Sequence, residues 1–238
     1  MTMTIALVTG ANKGLGRETV RRFAAMGWDV FLGARDADRG GAAVAELAEE
    51  GLAVRLLPLD VTSDESVGTA ADTVKRAVGR LDVLVNNAGV GGPVSPPADT
   101  TAGSLRDVFE VNVFGPVRVT NAFLPLLRAA DHPRIVMVSS GMGSFTVAND
   151  PRWFGLVAPQ LGYPASKAAL NMITSQYARA LEDIRVNAVD PGHTATDLTD
   201  QAGSQTVAEG TDAIVRLAAI GPDGPTGGFF DREGTVAW

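Results

Sequence analysis

The sequence predicts an α/β fold: one doubly wound parallel sheet of six or seven strands, with helices on both faces. Three observations predict it. Short β-branched runs recur along the chain, among them Ile5–Val8 and Ile135–Val138, apolar throughout rather than alternating. Such strands bury both faces, which requires a parallel sheet covered on both sides. Amphipathic segments separate these runs, and strand–helix alternation implies right-handed crossovers. Finally, residues 1–238 contain no linker, internal repeat or low-complexity tract, so the whole chain is expected to form a single domain.

The elements follow in order. Ile5–Val8 is the first strand; it leads into glycine-rich Gly10–Gly16 and a helix running to Met26. Asp29–Gly33, Val54–Leu59, Val83–Val85, Ile135–Val138 and Ile184–Val189 are further buried strands. Val67, Ala70, Ala71, Val74, Ala77 and Val78 recur at three and four residues, the spacing of one helix face. Ser104–Leu127 and Tyr163–Leu181 predict two longer helices, and Thr226–Phe230 a last strand. Two segments break the rhythm. Gly141–Leu161 is rich in Gly, Pro and aromatics, and Thr194–Thr206 is polar with one glycine. Each follows a predicted strand, where loops border the ligand crevice of an open α/β sheet. Long loops in a compact domain are usually functional. Substrate loops are therefore expected near 141–162 and 194–206, with Met142, Phe145, Trp153, Phe154 and His193 as candidate lining.

Composition narrows the function. Hydrophobic residues make up 45% and charged residues 20%, which favours a packed globule over a disordered chain. A formal net charge of −7 argues against broad binding to nucleic-acid phosphates. With no cysteine, disulfides and thiolate chemistry are excluded. His132 and His193 stand far apart, so no metal site is expected. No basic leader precedes Ile5, and no stretch approaches the roughly 20 apolar residues of a spanning helix. A cytoplasmic location is the expectation.

Thr9-Gly10-Ala11-Asn12-Lys13-Gly14-Leu15-Gly16 ends the first strand and opens the first helix. Glycines let backbone approach a pyrophosphate, and a helix N-terminus offers unpaired N–H groups. A tight turn without a ligand is the simpler alternative, but the position after the first strand favours a dinucleotide, as in a Rossmann fold. The second strand ends Gly33-Ala34-Arg35. An arginine there suits a 2′-phosphate, whereas a carboxylate would suit a 2′-OH. Lys13 adds a second cation, and Asp36 caps the helix starting near Ala37. NADP(H) is thus preferred over NAD(H). Asp60-Val61 and Asn86-Asn87-Ala88-Gly89 end the third and fourth strands. Either can be a turn former, yet together they suit an adenine and its ribose.

Tyr163 and Lys167 stand four apart on a predicted helix and share a face. A neighbouring ammonium favours phenolate and brings tyrosine towards proton transfer near neutral pH. Ser140, just past the fifth strand, places a hydroxyl where a substrate oxygen could be held. Asn112 interrupts an apolar helix face at a cost in propensity. It is therefore either exposed or held in a hydrogen-bond network that could reach Lys167 through water.

Thr9–Gly16, Asp60-Val61, Asn86–Gly89, Asn112, Ser140, Tyr163-Pro164-Ala165-Ser166-Lys167 and Val186–Gly192, in this order, resemble the short-chain dehydrogenase/reductase family over essentially the whole chain. The resemblance implies Tyr163 as proton donor or acceptor and Ser140 as the group polarising a carbonyl. It implies Lys167 as partner of Tyr163 and of the nicotinamide ribose, and Asn112 as support of the proton relay. Gly10, Asn12, Lys13, Gly14, Leu15, Gly16, Arg35, Asp60, Val61, Asn87, Ala88, Gly89, Tyr163, Lys167, Pro191, Gly192, Thr194 and Thr196 would contact the cofactor. Within the family, Asn12-Lys13, Arg35-Asp36, Arg39-Gly40 and Gly224-Pro225 with Trp238 are similar to NADPH-dependent carbonyl reductases. The implied reaction interconverts a ketone or aldehyde and its alcohol. The alternatives are an NAD-dependent alcohol dehydrogenase and a catalytically silent NADPH-binding regulator. Many relatives are tetramers that pair through the two long helices, so a dimer or tetramer is an expectation here.

Overall fold

Strands that are apolar on both faces need cover on both sides, and a computed structural model describing residues 3–151 and 159–238 provides it. The strands are β1 (Ile5–Val8), β2 (Asp29–Ala34), β3 (Arg55–Pro58), β4 (Val83–Asn86), β5 (Arg134–Val138), β6 (Arg185–Val189) and β7 (Phe229–Phe230). They form one sheet in the order β3-β2-β1-β4-β5-β6-β7, with every neighbouring pair parallel. Successive side chains leave a strand on opposite faces. Ile5 and Leu7 accordingly enter one core layer while Ala6 and Val8 enter the other.

The first layer is closed by α3 (Asp64–Val78), α5 (Gly115–Leu127) and α7 (Gly162–Ala180), through Val67, Val74, Val119, Phe123 and Leu170. The second is closed by α1 (Gly14–Ala25), α2 (Ala37–Glu49) and α9 (Asp212–Ala218), through Val20, Phe23, Leu47, Ile214 and Leu217; α6 (Phe145–Ala148) and α8 (Val207–Gly210) are single turns. The face predicted for α3 is the buried one, except that Ala77 is exposed. At 100° per residue Ala77 lies about 80° round from Val67, past the edge of the stripe.

Order reverses between β1 and β4, the switch point where such sheets bind ligands at their C-terminal edge. The predicted strands are all present with ends moved by a residue or so, save the last, which pairs only over Phe229–Phe230. Gly227, at φ +73, bends the chain just before it.

One expected helix is built differently. Ser104–Leu127 is observed as α4 (Ala102–Phe109), a π-turn over Glu110–Phe114, and α5. The Gly115 amide bonds back to the Glu110 carbonyl, five residues earlier. The extra residue turns Asn112 into the core, where it is 1% exposed. Among the described residues no helix is long and apolar enough to cross a membrane.

Candidate active site

The glycine-rich turn is fixed by close packing on the end of β4. Gly10 has φ +61, and a Cβ there would lie 2.8 Å from the Ala88 Cα. At Gly16 a Cβ would lie 2.5 Å from the Asn87 Nδ2. Buried Thr9 accepts hydrogen bonds from the amides of Asn87 and Ala88, each 3.0 Å, through its hydroxyl. Asn87 donates its side-chain amide to the carbonyls of Thr9 (2.8 Å) and Gly10 (3.2 Å). Its side chain therefore braces the turn rather than facing the crevice.

Helix α1, like α7 and α9, begins without a side-chain cap. Asp36, Ser63 and Thr101 each cap the helix they precede, whereas Lys13 gives α1 no side-chain cap. The first turn of α1 also carries no acidic residue. Uncapped amides at a positive helix end suit a diphosphate. Gly14, at φ +54, meets only the Thr196 side chain within 4 Å of an added Cβ, so the turn leaves room for one. Half-buried Asn12 and Leu15 flank it. Arg35 is exposed at the end of β2 and makes no ion pair with a described residue. Asp36 does not compete for that place. Its carboxylate caps the Arg39 amide at 3.0 Å and pairs with the Arg39 guanidinium. Lys13 pairs with Asp197 at 2.5 Å, on the far side of the crevice.

Other cofactor candidates line the same edge with differing freedom. One Asp60 carboxylate oxygen accepts from the amide and hydroxyl of Thr62, a local turn. Val61 is turned inward, where a Cβ on Gly115 would lie 2.9 Å from its methyl, and its carbonyl accepts from Arg118. Gly192 has φ +70 and follows Pro191, three residues past the end of β6. The Thr194 hydroxyl donates to the Pro191 carbonyl at 2.9 Å, so that it secures its own turn.

The chemical residues meet at the ends of β4 and β5. Asn112 accepts from the Val90 amide at 2.8 Å and donates to the Val90 carbonyl (2.9 Å) and the Ser166 hydroxyl (3.0 Å). Of the two options in the sequence, the network holds. A Cβ on Gly89 would come 3.4 Å from Asn112 Oδ1 and 3.6 Å from Lys167 Nζ, so all three crowd one point. Lys167 is 4% exposed, donates to the Val138 carbonyl at 2.8 Å, and lies 5.5 Å from the centre of the Tyr163 ring. Ser140 faces Tyr163, and its hydrogen bond favours the phenolate.

That bond does not win. Burial pushes the Tyr163 phenol up to about 12 and the Lys167 ammonium down to about 8. The sequence suggests an ammonium drawing the phenol down. The folded site instead desolvates both groups and aims Nζ at a backbone carbonyl. The phenol therefore stays loaded with its proton at neutral pH.

The brace behind these residues was not visible in the sequence. Asn171, one turn beyond Lys167 on α7, accepts from the Ser139 hydroxyl and donates to the Gly143 carbonyl at 3.1 Å. At Gly143 a Cβ would lie 2.6 Å from the Lys167 carbonyl carbon, so the backbone after Ser140 rests directly on α7. Only pairing across about 30 residues reveals this role. Of the pocket candidates, Met142 is half-buried, Phe145 and His193 are exposed, and Trp153 and Phe154 lie outside the described residues.

Known proteins resemble the chain in both sequence and shape. The model of the short chain dehydrogenase family matches residues 4–206. The chain is 32% identical to (+)-neomenthol dehydrogenase of Arabidopsis thaliana, over 96% of each protein. It is 32% identical to an NADPH carbonyl reductase of Rattus norvegicus, over 92% of each. The NADPH-bound carbonyl reductase from chicken fatty liver superposes with a TM-score of 0.89 at 28% identity, covering 100% of both chains. Sheet order, ordered motifs and these matches agree: the chain belongs to the short-chain dehydrogenase/reductase family and is an oxidoreductase.

Proposed function

We propose that this oxidoreductase uses NADPH in preference to NADH to reduce an apolar ketone or aldehyde, or to oxidise the matching alcohol. The observation that carries the reading is the convergence of Ser140, Tyr163, Lys167 and Asn112 at one strand edge, with the phenol held protonated. When bound, the nicotinamide supplies the hydride. Uncapped α1 amides at Gly14–Gly16 would hold its diphosphate, and Arg35 with Lys13 its 2′-phosphate. Lys13 would then exchange Asp197 for the phosphate. Tyr163 gives its proton to the carbonyl oxygen and Ser140 holds that oxygen. Lys167 beside its ring, and Asn112 through Ser166, hold the end of α7 that carries the phenol.

Exposed apolar side chains support an apolar substrate. Val90, Val94, Phe145, Leu161 and Leu198 all sit on loops or a short helix beyond the strand C-termini. The names of the plant relatives, neomenthol dehydrogenase and isopiperitenone reductase, point the same way. Pairing of two copies through α5 and α7 extends the proposal. These helices are joined by Tyr177 donating to Asn121 at 2.9 Å, and Met172 of α7 and Phe114 beside α5 remain exposed.

The test is titration of the purified protein with NADPH and NADH, followed by turnover on a panel of apolar ketones, aldehydes and quinones. Tighter binding and faster turnover with NADPH are expected. Preference for NADH would favour an alcohol dehydrogenase of the other cofactor class. Tight NADPH binding without turnover on any substrate would favour the silent regulator.

A further inference from the structure

Asp190 is a half-buried carboxylate that the mechanism above leaves unused. It directly follows β6 in Val189-Asp190-Pro191-Gly192. Strands β5 and β6 run paired to Val138 and Val189, and the Ser139 amide still reaches the Val189 carbonyl at 2.7 Å. Beyond that point the two chains part. One leads to Ser140 and Gly141, the other to Pro191 and Gly192.

The Asp190 side chain spans the gap. Oδ1 accepts from the Gly192 amide at 3.0 Å, while Oδ2 rests against Gly141, whose amide helps hold the carboxylate pKa down. Glycine at 141 is required for this. A Cβ there would lie 2.7 Å from Asp190 Oδ2. A local turn would explain the bond to Gly192, two residues on. It does not explain why Oδ2 packs against a residue on the other loop, nor the space left for it there.

We propose that Asp190 is a positioning residue whose carboxylate ties the Ser140–Gly141 loop to the Pro191–Gly192 turn and so fixes Ser140 beside Tyr163. The inference rests on the reductase reading. Two ionisable neighbours interact with this carboxylate: Tyr163 on α7 and Asp231 just past β7. Burial and Asp231 raise the Asp190 pKa while the two amides lower it. Its charge in turn raises that of Tyr163.

The test compares Asp190→Asn and Gly141→Ala with the wild type. Asparagine keeps the shape but offers one acceptor oxygen and no charge, and alanine at 141 pushes on the carboxylate from the Ser140 side. Both variants should lose about tenfold to a hundredfold in kcat, as expected for a misplaced reacting group, with NADPH affinity within about twofold of wild type. In Asp190→Asn the basic limb of the reduction profile should also move to lower pH, because the phenol no longer faces a carboxylate. Wild-type kcat and an unmoved profile in Asp190→Asn would overturn the proposal, as would wild-type kcat in Gly141→Ala. If the wild type itself reduces no carbonyl, the reductase reading fails first. Amide exchange then decides the bridge: faster exchange at Gly141 in Asp190→Asn supports it and unchanged exchange overturns it.

Discussion

Lys167→Met replaces a buried ammonium with an apolar chain of similar length, and its effect on stability can be worked out from the site. Burial pushes Nζ down to about 8 from an ordinary 10.5. At about 1.4 kcal/mol per tenfold, carrying the charge costs the fold about 3 kcal/mol at neutral pH. The folded value lies below the unfolded one. The cost is therefore fully present below about pH 8 and fades as pH climbs towards 10.5, where the unfolded chain holds the proton and the folded one does not. Losing the bond to the Val138 carbonyl costs about 1–3 kcal/mol, equally at every pH.

Relative to wild type, the cofactor-free variant should thus lose about 2 kcal/mol of advantage between pH 7 and pH 9.5. In a chain of 238 residues that corresponds to about 4–8 °C in Tm. Unfolding both proteins in guanidinium at the two pH values measures it, and other titrating groups cancel in the difference. A stability difference that stays flat across this range would refute the desolvation of Lys167.

Other outcomes follow from the cofactor end. Arg35→Asp exchanges an exposed cation for a carboxylate at the end of β2, so the ratio of NADPH to NADH affinity should fall by about tenfold or more; an unchanged ratio in a binding titration would show that Arg35 reads no phosphate. Gly14→Val places a branched side chain at φ +54 on the turn proposed to hold the diphosphate, and cofactor binding should be lost while far-ultraviolet circular dichroism stays native. Retained affinity would remove the diphosphate from that turn.

Much of this molecule could be read from its residues, and the exceptions share a cause. Runs such as Val83–Val85 and Ile135–Val138 are apolar on both faces, a local property, and all became strands. Gly10, Gly14 and Gly16 could be placed because a strand precedes them and a helix follows. Tyr163 and Lys167 share a face through spacing alone. The π-turn at Glu110–Phe114 escaped because apolar spacing within one helix does not distinguish a bond five residues back from one four back. Asn171 under Gly143, and Asp190 against Gly141, are contacts between distant segments and leave no local signal. The pKa directions escaped for the same reason, since burial belongs to the fold and not to the spacing of Tyr163 and Lys167.

The most direct measurement is turnover of wild type and Tyr163→Phe side by side, with NADPH and whichever apolar carbonyl the wild type reduces best. Phenylalanine removes one hydroxyl from a site that keeps Ser140, Lys167 and Asn112. Proton transfer from a placed group contributes about 10²–10⁴-fold, so kcat should fall by that factor while NADPH affinity holds. Turnover near the wild-type rate would contradict a mechanism in which Tyr163 supplies the proton.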